Sequence, residues 1–289
     1  MARIVDLLAS GWSLSVELWP PRTEEAARRL EATLTGLEAL HPTFASITYG
    51  AAGSTRERTH ELVLAIQRAG RMTPMAHLVC AAHRRAELVD ILTRYRDHGV
   101  ENILALRGDP PLDTEGPLPA GDLRHAIELV VLAKSLGDFC VAVAAHPEGH
   151  PEAPDLATDR AHLAEKLALA DFAITQFFFR ADDYFGLVAD LEARGVRKPV
   201  LPGIMPVTNV RTLKRMAELS GCTIPPEVAG RVEAVAGDPE AVVAVGVEVA
   251  TRLGEELLAG GVPGLHFYTM NQVRATLAIC ENLGIARRA

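Results

Sequence analysis

Aromatic side chains and basic residues are both scarce in this chain of 289 residues. Phenylalanine, tryptophan and tyrosine make up 5% of it, and 29 lysines and arginines stand against 37 acidic residues, for a formal charge of −8. A core with few rings must be built from leucine, valine, alanine and isoleucine, and the hydrophobic content of 48% is sufficient for one. The acidic balance argues against nucleic acid or an anionic membrane surface as a partner.

Long uncharged hydrophobic runs are also missing. None approaches the length that crosses a membrane, and Asp6 interrupts the apolar stretch that a signal peptide would need. The four cysteines, Cys80, Cys140, Cys222 and Cys280, lie far apart and form no CxxC pair. Such a pattern is typical of buried free thiols in a reducing compartment. We therefore expect a soluble, cytoplasmic protein.

Several catalytic motifs are absent as well. No GxGxxG follows an apolar strand-like run, and neither a GxxxxGK phosphate loop nor a GxSxG nucleophile motif occurs. His146, Glu148 and His150 are close in sequence, but Pro147 and Gly149 prevent the helical spacing of a zinc motif, and no third ligand is evident. Kinase and hydrolase functions lose support, and we predict no metal site.

Apolar segments alternate with segments of helical periodicity along the chain. Eight apolar segments occur, at residues 14–18, 44–49, 74–79, 102–106, 139–145, 172–178, 199–204 and 265–268. Strands and helices in alternation favour a parallel sheet, and eight repeats favour a closed (β/α)8 TIM barrel, here one domain over residues 1–289. The long interval after the seventh strand has room for extra helices at 210–219, 226–235 and 240–258. Two boundary residues are also predicted: Thr23 caps the first crossover helix, and Gly99 follows the helix over 84–98.

Polar residues stand at or just after the ends of these strands. They are Glu17, Thr48, His77, Arg107, Asp109, His146, His150, Gln176 and Tyr268. The C-terminal strand ends of a barrel meet at one mouth, so we expect these side chains to share a cavity. Alternation along the first strand points Glu17 into the barrel, where partial desolvation raises its pKa and suits it to act as a general acid. The alternatives are a salt bridge from Glu17, for instance to Arg107, and a solvated turn at Asp109.

Nine segments together resemble methylenetetrahydrofolate reductases. They are VELWPPR (16–22), SITYGA (46–51), RERTH (56–60), AHLVC (76–80), ALRGD (105–109), PEGHPE (147–152), AITQFFF (173–179), PGIMPV (202–207) and HFYTMN (266–271). The resemblance implies the barrel fold and the reduction of methylenetetrahydrofolate to methyltetrahydrofolate, with electrons passing from NADH or NADPH through bound FAD.

The resemblance also implies roles for individual residues. Glu17 matches the general acid, whose proton opens the five-membered ring at N10 and leaves an N5 iminium that accepts hydride. Asp109 and Gln176 match residues that bind the pterin, and the Asp109 carboxylate would stabilise the cationic iminium. The matching positions of the folate pocket are Tyr268, Met270, Met216 and Thr212. The matching flavin positions are Thr48, His77, Arg107, Gly108, His146, His150, Asp159 and Lys166. Of these, His77, Arg107 and Lys166 would be the partners of the flavin phosphates.

Departures from the family pattern cluster on the flavin positions. Pro119 and His146 stand where the family often has tyrosine, His162 stands for an asparagine, and the turn at 169–171 is shortened and lacks a glycine. We expect this shorter turn to re-route the backbone beside the flavin site. We hypothesise that FAD binds weakly or not at all and that the nicotinamide passes hydride directly to the iminium. The alternatives are a conventional FAD-mediated reductase and a non-catalytic pterin-binding barrel.

Overall fold

Eight parallel strands close into a barrel in the order β1 to β8. The computed structural model describes residues 2–50, 55–108 and 121–285. The strands are β1 Ser13–Leu18, β2 Phe44–Ile47, β3 Thr73–Val79, β4 Asn102–Leu106, β5 Cys140–Ala145, β6 Phe172–Phe177, β7 Val200–Ile204 and β8 Gly264–Tyr268. The predicted (β/α)8 barrel is confirmed, and each strand boundary agrees with the prediction to within two residues.

Helices cover the outside of the barrel and one of its ends. Those in the described part of the chain are α1 Ile4–Ser10, α2 Glu24–Glu38, α3 Arg56–Ala69, α4 Arg85–Asp97, α5 Ala126–Leu136, α6 Leu156–Leu169, α7 Ala181–Ala193, α8 Val210–Ser220, α9 Pro226–Ala234, α10 Pro239–Ala259 and α11 Val273–Asn282. Both predicted boundary residues are confirmed: the Thr23 hydroxyl accepts a hydrogen bond from the N–H of Ala26 (3.1 Å), and Gly99 has a φ of +73°. The single-domain assignment stays a prediction.

Helix α1 closes the N-terminal end of the barrel and was not predicted. Its Ile4 and Leu8 are buried in a cluster with residues from the beginnings of the strands, such as Phe44 and Phe172. The main-chain N–H of Ile4 donates to Oδ1 of Asn102, at the start of β4, over 2.8 Å. A buried amide and an apolar plug therefore seal this end, which leaves the opposite end open to ligands.

The predicted extra helices between β7 and β8 are confirmed to within one residue, as α8, α9 and α10. Proline begins both α9 and α10, where its fixed φ suits the first turn and its missing N–H costs nothing. Their apolar faces, including Leu213, Val228 and Val242, pack against Phe177 and Met205 beside the ends of β6 and β7. The extra helices therefore form a wall on one side of the open end. No helix within the described residues is long and apolar enough to cross a membrane.

Candidate active site

The parallel barrel brings most of the predicted site residues to its open end, which we call the mouth. The C-terminal halves of β1, β3, β6 and β8 carry Glu17, His77, Gln176 and Tyr268, and Thr48 directly follows β2. Asp109 and Pro119 are outside the described residues, so their predicted roles stay predictions.

Glu17 is held at the mouth with its two oxygens in different surroundings. Its side chain is 12% exposed. Oε1 accepts hydrogen bonds from the Thr48 hydroxyl (2.9 Å) and from the indole N–H of Trp19 (3.1 Å). Oε2 lies 3.7 Å from Nε2 of His77. Burial raises the pKa of Glu17 from 4.5 to about 7, and the two hydrogen bonds oppose that rise.

With a pKa of about 7, Glu17 is present in both protonated and ionised forms near neutral pH. Its burial agrees with the inward orientation expected from the alternation along β1, and its role as the general acid stays a prediction. The alternative of a Glu17–Arg107 salt bridge receives no support, because the Arg107 guanidinium pairs with Glu152. The two donors on Oε1 leave Oε2 as the oxygen that carries the proton.

Two uncharged histidines lie in the barrel beside Glu17. His77 and His266 are buried, and burial lowers the pKa of each to about 3. Nδ1 of His266 is 2.8 Å from the Ser15 hydroxyl, whereas Nε2 of His77 has no hydrogen-bond partner among the described residues. The contact of His77 with a flavin phosphate stays a prediction, but a neutral imidazole brings no positive charge to it. Sequence reasoning missed His266, although it stands two residues before Tyr268 on the same face of β8.

Tyr268 crosses the barrel from β8 towards β6. Its hydroxyl donates to the main-chain oxygen of Thr175 (2.6 Å), and its ring passes over Gly203 on β7. A methyl group at Gly203 would lie 2.5 Å from both the Thr175 oxygen and the Tyr268 ring. Glycine at this position therefore allows the Tyr268 ring to lie across β7, while its main chain stands beside that of Glu17, its register partner on the adjacent strand β1.

The other predicted folate-pocket residues lie along the wall made by the extra helices. Met216, Met270 and Tyr268 pack against the same apolar cluster of β6, β7 and α8 to α10. Thr212 is half-buried in the first turn of α8, and Gln176 is half-buried at the end of β6. The structure thus assembles one apolar wall that ends in polar groups, which suits a flat, partly polar ligand.

The predicted flavin residues that follow β5 also come together. The rings of His146 and His150 are 4.7 Å apart, edge to face. Lys166 donates from Nζ to the Ala144 oxygen (2.8 Å), and burial lowers its pKa to about 8. Asp159 pairs with the buried Arg160 (3.1 Å).

Arg160 also donates to the main-chain oxygens of His146 (2.8 Å) and Pro147 (2.5 Å), and so it fixes the loop after β5. On the neighbouring strand end, Gly108 has a φ of +94°, which favours glycine. His162 is exposed on α6.

The shortened turn at 169–171 has a different place from the one expected. It joins the end of α6 to the start of β6, so it lies at the closed, N-terminal end of the barrel. There Asp171 pairs with Lys134 (2.5 Å) and accepts from the N–H of Val141 (2.6 Å). The expectation that this turn re-routes the backbone beside the flavin positions is wrong, because those positions are at the opposite end.

The cysteines are free thiols, as predicted. Cys80, Cys140 and Cys280 are buried and Cys222 is half-buried. Burial raises the pKa of the Cys80 thiol to about 11, so it is not an activated nucleophile. No group of three histidine, cysteine or acidic side chains within residues 2–50, 55–108 and 121–285 is arranged to hold a metal ion.

Comparison with known proteins gives matches over nearly the whole chain. A family model described as methylenetetrahydrofolate reductase matches residues 3–284. The 5,10-methylenetetrahydrofolate reductase of Pectobacterium carotovorum is 36% identical over 274 residues, which cover 94% of this chain and 90% of that protein. Methylenetetrahydrofolate reductase (NADH) 1 of Arabidopsis thaliana is 36% identical over 286 residues, covering 94% of this chain and 48% of the plant protein.

Among solved structures, a Clostridium thermocellum protein described as binding two copies of 5-methyl-5,6,7,8-tetrahydrofolic acid has the same fold. It aligns with a TM-score of 0.64 and 15% identity, over 99% of this chain and 98% of its own. At that identity the likeness supports the fold alone. The family model and the relatives, which extend over nearly the whole chain, show more: the chain belongs to the methylenetetrahydrofolate reductase family of oxidoreductases.

Proposed function

We propose that this protein reduces 5,10-methylenetetrahydrofolate to 5-methyltetrahydrofolate with a reduced nicotinamide dinucleotide, and that hydride passes to the folate without a flavin. The observation that carries the reductase assignment is Glu17, a buried carboxyl at the barrel mouth whose pKa of about 7 keeps a proton available. A carboxylic acid of this kind is suited to protonate a weakly basic amine near neutral pH.

The proposed reaction has two steps on the folate. Oε2 of Glu17 donates its proton to N10, the bond from N10 to the bridging methylene breaks, and that electron pair stays on N10. The methylene is left as an iminium with N5. Hydride from the dihydronicotinamide then converts this carbon to the methyl group, and the nicotinamide leaves in its oxidised form. The Glu17 carboxylate regains its proton from solvent through the mouth.

The residues predicted to bind the flavin pyrophosphate support a reaction without FAD. A pyrophosphate carries two negative charges and needs cations or free N–H donors. Arg107 is paired with Glu152, and the amine of Lys166 is bonded to a main-chain oxygen. His77, the third predicted partner, is buried and uncharged. At these three positions both cations are already engaged and the imidazole is neutral, so they fit the flavin pyrophosphate poorly, and the pyrophosphate of NADH is proposed to bind elsewhere at the mouth.

The hydride donor is proposed to be NADH rather than NADPH. The printed names of two plant relatives, from rice and from Arabidopsis thaliana, specify NADH. The negative balance of this chain, −8, gives no general attraction for the additional phosphate of NADPH.

Purified protein tests both parts of the proposal. A colourless protein that oxidises NADH only when methylenetetrahydrofolate is added is the expected result, with one methyltetrahydrofolate formed for each NADH consumed. A visible flavin spectrum at one equivalent per chain would instead identify a conventional FAD-mediated reductase. Folate binding without NADH oxidation would identify a non-catalytic pterin-binding barrel.

A further inference from the structure

Trp19 stands at the mouth of the barrel in direct contact with Glu17. Its indole N–H donates to Oε1 of Glu17 over 3.1 Å. Although tryptophan is hydrophobic, this residue is 37% exposed, and it follows β1 directly at the open end. One edge of the ring is therefore tied to the acid while part of the ring surface remains open to a ligand.

The backbone around Trp19 is fastened in place by the loop after β8. The Asn271 side chain accepts from the Trp19 N–H and donates to the Trp19 oxygen, each over 2.9 Å. The Thr269 hydroxyl donates to the main-chain oxygen of Glu17 (2.7 Å). Because the main chain of both Glu17 and Trp19 is held from the same loop, the points from which the two side chains start are fixed relative to one another.

This loop is itself strained. Met270 and Asn271 have φ values of +50° and +56°, a region that residues other than glycine rarely occupy. Two consecutive residues of this kind cost free energy, and such strain persists only where the surroundings fix it. The hydrogen bonds from Asn271 to Trp19 are part of what fixes it here.

We propose that Trp19 is a functional residue of this site: its N–H positions the Glu17 carboxyl group, and its exposed face stacks on a planar ring of the folate. The inference rests on the proposed reductase function. It adds a residue that neither the motif analysis nor the family comparison assigned. Aromatic rings stack favourably on flat heterocycles, and a tryptophan fixed by its backbone loses little freedom when it does so.

Fluorescence tests the stacking part, because the chain has two tryptophans. Trp12 precedes β1 and lies at the closed end of the barrel, far from the mouth. The Trp12→Phe protein keeps Trp19 as its single fluorophore, and the Trp19→Phe protein keeps Trp12. We expect 5-methyltetrahydrofolate to quench the first protein saturably and the second only by light absorption. Equal quenching of the two proteins would overturn the stacking role.

Steady-state kinetics test both parts with matched variants. Trp19→Phe keeps a ring but loses the N–H, and Trp19→Leu loses both. We expect Trp19→Phe to keep the KM for methylenetetrahydrofolate, whereas Trp19→Leu raises it by about two- to tenfold, the value of an aromatic contact. An equal KM for the phenylalanine and leucine variants would remove stacking from the proposal.

The pH profile isolates the hydrogen bond. Among residues 2–50, 55–108 and 121–285, the titratable groups that face Glu17 are His77 from β3 and Tyr268 from β8. Neither changes charge near neutrality, because burial lowers the pKa of His77 and raises that of Tyr268. Loss of the indole N–H favours the protonated acid, so both Trp19 variants should move the alkaline limb of kcat upward by about one pH unit.

A purely structural indole would lower kcat equally at every pH and leave the limb in place, which would overturn the positioning role. Different results would refute the proposed reductase function and the proposed role of Trp19. An unmodified protein without folate-dependent NADH oxidation refutes the proposed function, whereas the Trp12→Phe titration still decides whether Trp19 binds folate.

Discussion

Replacing Glu17 by glutamine is expected to remove turnover and to stabilise the folded protein at alkaline pH. Burial raises the pKa of Glu17 from 4.5 to about 7, so between these values the folded state binds a proton that the unfolded state has lost. The free energy of unfolding therefore falls as pH rises through this window. At about 1.4 kcal/mol for each pH unit between the folded and unfolded pKa values, the cost of ionising Glu17 reaches about 3 kcal/mol by about pH 8.

Glutamine has nearly the same shape and keeps an oxygen that accepts from Thr48 and Trp19, but it has no charge to bury. The free energy of unfolding, measured with urea, should be higher for Glu17→Gln than for the unmodified protein. The difference should be about 3 kcal/mol at about pH 8 and less than about 1 kcal/mol at about pH 5. A carboxamide cannot donate the proton, so kcat should fall by at least about a hundredfold.

A matched control is Glu31→Gln, on the exposed face of α2. It should change the free energy of unfolding by less than about 0.5 kcal/mol at either pH. If the stability difference between Glu17→Gln and the unmodified protein were the same at both pH values, Glu17 would not be a buried, protonated acid. If kcat also survived in Glu17→Gln, the residue would have no part in the proton transfer.

Three further substitutions test the surroundings of the site. Thr48→Val removes the shorter hydrogen bond to Oε1 of Glu17 and should raise the pKa of Glu17. The alkaline limb of the kcat–pH profile, measured by NADH oxidation, should therefore move to higher pH by about one unit. Gly203→Ala places a methyl group 2.5 Å from the Tyr268 ring, so urea unfolding should show a loss of about 1–3 kcal/mol and the folate KM should rise. Asn102→Ala leaves the first N–H of α1 without its buried acceptor, which should cost about 1–3 kcal/mol and speed amide exchange in that helix.

The barrel and the position of Glu17 could be predicted because both depend on short-range periodicity. Alternation over six residues of β1 was enough to point Glu17 inward, and the count of eight strands was enough to close the sheet. The extra helices were equally visible, since each has its own start signal, such as Asp238 before α10. These features depend on residues that are close together in the sequence, so they can be predicted from it.

The features that were missed depend on contacts between distant parts of the chain. Helix α1 has seven residues, too few for a periodic pattern, and its bond to Asn102 joins residues 98 positions apart. The hydrogen bonds between the Asn271 side chain and the Trp19 main chain join residues 252 positions apart. The error over the turn at 169–171 is of another kind, because a loop from helix to strand in a barrel always lies opposite the mouth. Topology alone would have corrected it.

The buried surroundings of Glu17 are the reason we expect activity and stability to change in opposite directions in Glu17→Gln. His77 is buried with an unpartnered ring nitrogen, and Ser46, the register partner of Glu17 on β2, has a hydroxyl with no partner among the described residues. Each such group costs about 1–3 kcal/mol relative to a paired one, yet a barrel of this size could fill the same space with aliphatic side chains. Burial, rather than a charged partner, is what raises the pKa of Glu17 to about 7. Glu17→Gln removes the cost of ionising this buried carboxyl group, and it therefore also removes the proton that the reaction consumes.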